Sequence, residues 1–127
     1  MNPLDDPNTI GAIGELLVQT RLLQYGVQAA PPIKDTGNDL IAVKGHVFKA
    51  IQVKTTEGDR TPKYDSRNRV YHFLAIVRLA RNGNEAYLDR SRIYLIPWDH
   101  VDGLPSSLDE LNGRYILTER LAQEYFG

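Results

Sequence analysis

The 127-residue sequence predicts an α/β fold: a mixed β-sheet flanked by helices, with an N-terminal helix followed by a central β-hairpin. Three observations lead there. Apolar residues recur at helical spacing from Ile10 to Leu23. Two short runs rich in aliphatic and β-branched residues then flank Gly45-His46, a pair suited to a hairpin loop. A third apolar run, at 70–79, supplies a further strand.

Taken in chain order, Asn8 or Thr9 can cap a helix running to about Tyr25, and Gly26 is its expected stop. Ile10, Ile13, Leu16, Leu17 and Leu23 form the main apolar stripe, widened by Val18 and Leu22. Gly11 and Gly14 lower helix propensity but let a neighbouring backbone approach closely. Residues 27–30 read as a short edge strand ended by Pro31-Pro32. The two central strands span 39–43 and 47–55. Their alternate residues are apolar on both sides in the middle, as in a sheet covered on two faces. A polar, basic stretch from 57 to 69, broken by Gly58 and Pro62, is too long for a tight turn and reads as a functional loop or a disordered segment. Strands at 70–79, 85–88 and 92–96 follow, with Asn82-Gly83-Asn84 as a turn and Trp98 expected to pack on the core. Ser107-Leu108-Asp109-Glu110 has the form of a capping box opening a short helix, and Thr118 caps a last helix to Phe126. The first helix is expected against one face of the sheet and the later helices against the other.

Composition sets limits on function. With 42% hydrophobic and 24% charged residues, the chain suits a single domain over 1–127. No run approaches the ~20 apolar residues of a membrane span. The acidic start, Met1-Asn2-Pro3-Leu4-Asp5-Asp6, is unlike a secretory signal, so a cytoplasmic protein with no membrane partner is expected. The absence of cysteine excludes disulfides and thiolate zinc sites. His46, His72 and His100 have no metal-ligand spacing, so any cation must be held largely by oxygen, which favours magnesium or manganese. A net charge of −1 argues against coating nucleic acid by bulk attraction. The charge is nevertheless uneven. Between 54 and 81 Lys54, Arg60, Lys63, Arg67, Arg69, Arg78 and Arg81 outnumber Glu57, Asp59 and Asp65, whereas the segment after Pro97 is acidic. A basic binding face on a near-neutral protein is compatible with that asymmetry, as is a solvated loop followed by an acidic surface.

One spacing concentrates chemistry. With Gly45 first in a two-residue type II′ loop, Lys44 pairs with Val47, and counting outward sets Asp39 opposite Gln52. Lys54 shares their face. A carboxylate, an amide oxygen and a lysine then meet at one end of the ribbon, within the roughly 5–8 Å of direct and diagonal cross-strand neighbours. A one-residue slip would scatter them over both faces. This is an arrangement suited to a metal ion plus a lysine.

With helix, hairpin and third strand in that order, residues 10 to 80 resemble the PD-(D/E)xK nuclease superfamily, the restriction-endonuclease-like fold shared with archaeal Holliday-junction resolvases and some group I intron homing endonucleases. The likeness rests on Gly14-Glu15, Gly37-Asn38-Asp39-Leu40 and Gln52-Val53-Lys54. It implies a DNA endonuclease that hydrolyses phosphodiesters with a metal-activated water. Glu15 corresponds to the helix carboxylate, Asp39 to the metal-binding aspartate, Gln52 to the second-motif position and Lys54 to the lysine. The implied metal set is Asp39, the Gln52 side-chain oxygen, the Val53 carbonyl and Glu15 around Mg²⁺, or Mn²⁺. Lys54 would hold the attacking water or hydroxide. Two departures stand out: Asn38 takes the position of the proline, and Gln52 that of an acid, a variant met in the intron branch that removes one negative charge. Arg60, Lys63, Arg67 and Arg69, with Thr55, are the expected DNA contacts, Tyr64 and Tyr71 are weaker candidates for stacking, and a homodimer is expected if both strands are cut.

Each of these residues has a simpler reading. Glu15 lies about 130° around the helix from the centre of the main apolar stripe, the position of a solvent-facing glutamate. Asp39 can close a turn, and Gln52 and Lys54 can end an edge strand. Two other function classes stay open: a nucleic-acid-binding module that has lost catalysis, with Gln52 as its symptom, and a protein-interaction domain of immunity or inhibitor type.

Overall fold

A computed structural model describes residues 2–34, 38–63 and 70–127. Helix α1 (Pro7–Gln24) leads into a five-stranded sheet of β1 (Gln28–Ala30), β2 (Leu40–Lys44), β3 (Val47–Thr56), β4 (Phe73–Asn82) and β5 (Glu85–Pro97). Two 3₁₀ segments (Trp98–Gly103 and Leu108–Leu111) and helix α2 (Glu119–Phe126) complete the chain. Strand order follows the sequence, and the sheet is mixed because β3 and β4 alone run parallel. A parallel pair joins opposite ends of the sheet and needs a crossover of a dozen or more residues. The long connection at 57–72 is that crossover.

The hairpin has the expected register, from Leu40↔Ile51 to Lys44↔Val47. Gly45 adopts φ +59°, a left-handed conformation that a type II′ loop requires of its first residue. α1 begins earlier than expected. Its cap is Asp6, whose carboxylate accepts from Asn8 N at 2.9 Å, because Pro7 lacks an N–H and has its φ preset for the first turn. The buried stripe also differs from the expected one. Gly14, Leu17, Val18 and Leu22 face the sheet, while Leu16 and Leu23 are 61% and 62% exposed. The close approach at Gly14 sets this rotation. A Cβ there would lie 3.1 Å from Thr55 Cβ on β3, whereas Gly11 has open space around it.

Two cores result. One joins α1 to Leu40, Ala42, Ile51, Val53, Ala75 and Leu95, and α2 joins it through Ala122 and Phe126. The last helix therefore shares a face with the first, contrary to expectation, and the opposite face is covered by the 3₁₀ segments through Leu108 and Leu111 over Leu74, Ile76, Tyr94 and Ile96. That cover does not reach the outer end of the hairpin, where Phe48 is 63% exposed. Trp98, expected in the core, is also 63% exposed: it opens the 3₁₀ segment after β5, beyond the end of the strand, with its N–H donating to His72 O.

The two strands expected at 85–88 and 92–96 are one continuous strand. Its ladder jumps from Arg78↔Arg92 to Ala80↔Tyr87, and the buried Ser91 hydroxyl patches the irregularity by accepting from Ala80 N and donating to Tyr87 O. The capping box at 107–110 does not form. Ser107 Oγ instead donates to Asp59 Oδ2 at 3.2 Å, across the crossover. Thr118 does cap α2, accepting from Leu121 N.

Candidate functional site

Asp39 stands just before β2 and is held there by its own N–H, which donates to Ile51 O at 2.9 Å. Continuing the ladder one step sets it opposite Gln52. Its Oδ2 accepts from Gln52 Nε2 and from Val53 N, each at 2.8 Å. A carboxylate only accepts, so this contact fixes which way the Gln52 amide points. The amide oxygen Oε1 is buried and has no hydrogen-bond partner, on a residue only 7% exposed. Asn38 Oδ1, beside Asp39 in the chain, shares that condition, as does Thr55 Oγ1 on the opposite face of β3. An orphaned buried acceptor is costly, by about 1–3 kcal/mol, and in native proteins usually marks a partner such as a water or an ion.

Glu15 reaches this corner from the helix. It precedes the fully buried Leu22 by one heptad, which sets the two about 20° apart around the axis. The sheet-facing stripe is thus rotated toward Glu15 relative to the one expected from apolar residues alone, and Glu15 is half-buried. It lines a pocket of about 380 Å³ with Val53, Lys54, Thr55, Thr56 and Glu57. Glu57 is itself held by Arg81, whose Nε lies 2.6 Å from Glu57 Oε1 and whose Nη1 donates to Leu4 O at 2.7 Å. Three chain segments are thereby fastened together beside the pocket: the N-terminal turn, the end of β3 and β4.

In fold, the chain aligns with the solved structure of a bacterial homing endonuclease, I-Ssp6803I, at a TM-score of 0.57 and 18% identity, covering 80% of this chain and 72% of that one. The fold is endonuclease-like. No family model and no curated protein matches the chain.

Within this endonuclease-like fold the residues expected to act with DNA fall into three groups. Arg60 and Lys63 are exposed on the crossover beside the site. Arg67, Arg69 and Tyr64 lie outside the described residues, as does Gly37 of the stretch that carries Asp39. Thr55, near the end of β3, lines the pocket of Glu15 and Lys54. Strand alternation turns it toward α1, where its hydroxyl is buried against Gly14 rather than offered to a phosphate. Thr56, on the Lys54 face, lines the same pocket as Thr55. Tyr71 is buried in the second core and does not present a stacking surface.

Sequence reasoning also missed a basic row. Thr56 pairs with Arg78, and Arg78 with Arg92, so the three lie side by side just beyond Lys54. Arg78 donates to Asp109 Oδ1 at 2.8 Å, a bond that raises its already high pKa against partial burial, while Arg92 is exposed. Only the parallel register of β3 on β4 creates this row, and no local pattern encodes it. Among the described residues there is no group of three or more His, Asp or Glu able to hold a metal, so a cation here would depend on the amide and backbone oxygens. Among the same residues, no helix is long and apolar enough to cross a membrane.

Proposed function

We propose that this chain is a metal-dependent DNA endonuclease of the PD-(D/E)xK type in its Gln-x-Lys form. The observation that carries the reading is the buried, partnerless Gln52 Oε1 beside the Asp39 carboxylate, on the face and at the strand end occupied by Lys54. Supporting it are the half-buried Glu15 in the neighbouring pocket and the endonuclease-like fold.

The donor set suits a hard cation: one carboxylate from Asp39, the Gln52 amide oxygen and the Val53 carbonyl, with Glu15 as a further carboxylate. Mg²⁺ or Mn²⁺ held by these residues would offset charge on the phosphoryl oxygens and acidify water. Lys54 orients the attacking water through an ammonium hydrogen bond and stabilises its developing negative charge. Glu15 would accept a hydrogen bond from that water and help to orient it. Asp39 positions Gln52 by accepting from its amide, and Arg78, Arg92, Arg60 and Lys63 hold the flanking phosphates.

Titration of Mg²⁺ and Mn²⁺ into wild type, Asp39→Asn and Lys54→Ala, with calorimetry for binding and plasmid nicking for activity, tests the reading. Expected is millimolar or tighter binding that weakens in Asp39→Asn, and nicking abolished in both variants. The lack of a third acid favours a second reading, a DNA-binding module without catalysis. It predicts salt-dependent DNA binding with no nicking in wild type.

A further inference from the structure

On the sheet face that carries Gln52 and Lys54, a cleft of about 820 Å³ opens beside the candidate site. Strand register joins the two. Leu74, on the cleft floor, is the cross-strand partner of Gln52, and Thr56, on its wall, is the next residue after Lys54 on the same face. Thr56 also lines the pocket of Glu15 and Lys54, so the two hollows share a wall.

The opposite wall is a built structure. Leu108 N donates to Asp59 O at 2.6 Å, Thr61 N to Ser106 O at 2.9 Å and Thr61 Oγ1 to Pro105 O at 2.6 Å. These bonds fasten the first part of the crossover to the segment before the second 3₁₀ turn, and they hold Arg60 and Lys63 at the rim. The lining is balanced in charge, Arg60 and Lys63 against Asp59 and Asp102, over a floor of Leu74, Val101 and Leu104. A phosphate at the rim meets Arg60 and Lys63, but one inside the cleft would also meet the carboxylates of Asp59 and Asp102. A neutral, apolar-floored cleft with carboxylate acceptors suits a flat heterocycle bearing an exocyclic amine.

We infer that this cleft receives one nucleobase of the DNA strand, drawn out of its stack next to the phosphate held at Gln52 and Lys54. The inference rests on the nuclease reading. Leu74, Val101 and Leu104 supply the apolar contact, Asp102 accepts from the amine, and Arg60 and Lys63 hold the backbone on either side. Extrusion is easiest for a mismatched or unpaired base, so the cleft directs cutting toward such positions.

The test begins by mapping the nicks that wild type makes in plasmid DNA. Short duplexes spanning a mapped nick, with 2-aminopurine at each position in turn, are then bound by Lys54→Ala, which holds DNA without cutting it. Emission is expected to rise several-fold at one position beside the nick. Adding Ser106→Trp, at an exposed residue of the cleft lining where an indole takes up part of the space and the backbone bond to Thr61 is kept, is expected to lower that rise at least several-fold. In the chain with Lys54 intact, Ser106→Trp should cut the normal duplex an order of magnitude more slowly, yet cut a duplex abasic at that position as wild type does. Nicks with no emission rise at any position, or unimpaired cutting by Ser106→Trp, would overturn the cleft's role and leave the nuclease reading standing. Absence of nicks altogether would overturn both.

Discussion

Gly14 and Gly11 lie three residues apart in α1, and replacing each with alanine should change stability in opposite directions. In an open helix position the substitution gains about 0.5–1 kcal/mol, because glycine loses more backbone entropy on folding. Gly11 is such a position, with nothing within 4 Å of an added methyl. At Gly14 the methyl overlaps Thr55 Oγ1 and lies 3.1 and 3.3 Å from Thr55 Cβ and Cγ2. Rotating Thr55 about χ1 exchanges one substituent for another and leaves the Cβ contact in place, so the helix must lift. Overpacking of this kind costs about 1–3 kcal/mol. At roughly 2.1 cal/mol/K per residue of unfolding entropy, that difference separates the melting temperatures of Gly14→Ala and Gly11→Ala by about 4–11 °C. Thermal unfolding followed by circular dichroism measures it, and Thr55→Ala in the Gly14→Ala background should recover part of the loss by removing Oγ1 and Cγ2. Lifting α1 also carries Glu15 away from Lys54, so cleavage by Gly14→Ala should fall by more than its stability accounts for. A Gly14→Ala chain that melts at or above Gly11→Ala would refute the claim that this seam sets the helix position.

Gln52→Glu exchanges a donor facing Asp39 for a second carboxylate. Without metal it should destabilise the chain by about 1–3 kcal/mol, and Mg²⁺ should then raise its melting temperature by more than it raises that of wild type. Equal shifts would remove Gln52 from the metal site. His72 Nδ1 accepts from Ala50 N at 3.0 Å, and desolvation, with Lys49 nearby, lowers its pKa from the usual 6.5. The folded state thus binds fewer protons than the unfolded one, so stability should decline as pH falls from about 6.5 through the lowered value. His72→Asn, which offers a non-titrating acceptor, should flatten that part of a pH series of melts, and an unchanged slope would assign the decline to other groups. In the metal titration, Asp39→Asn keeps an oxygen for Val53 N and should stay folded while binding Mg²⁺ more weakly.

The sequence by itself determined the parts of this protein that depend on local geometry. Gly45 forces the loop, the loop fixes the hairpin register, and the register brings Asp39 to Gln52 with Lys54 on the same face. Fold class followed from the order of helix, hairpin and third strand. What the sequence left undecided depends on contacts between distant segments. Leu16 and Leu23 are as apolar as Leu17 and Leu22, so composition cannot say which pair faces inward. The Gly14–Thr55 seam decides it, and with it the position of Glu15. Thr55 reads as a phosphate contact until the seam with Gly14 buries its hydroxyl. Ser107 reads as a helix cap until the crossover brings Asp59 within reach of its hydroxyl. The row of Thr56, Arg78 and Arg92 exists only because β3 and β4 run parallel, a pairing of non-local strands whose register no short window of sequence encodes.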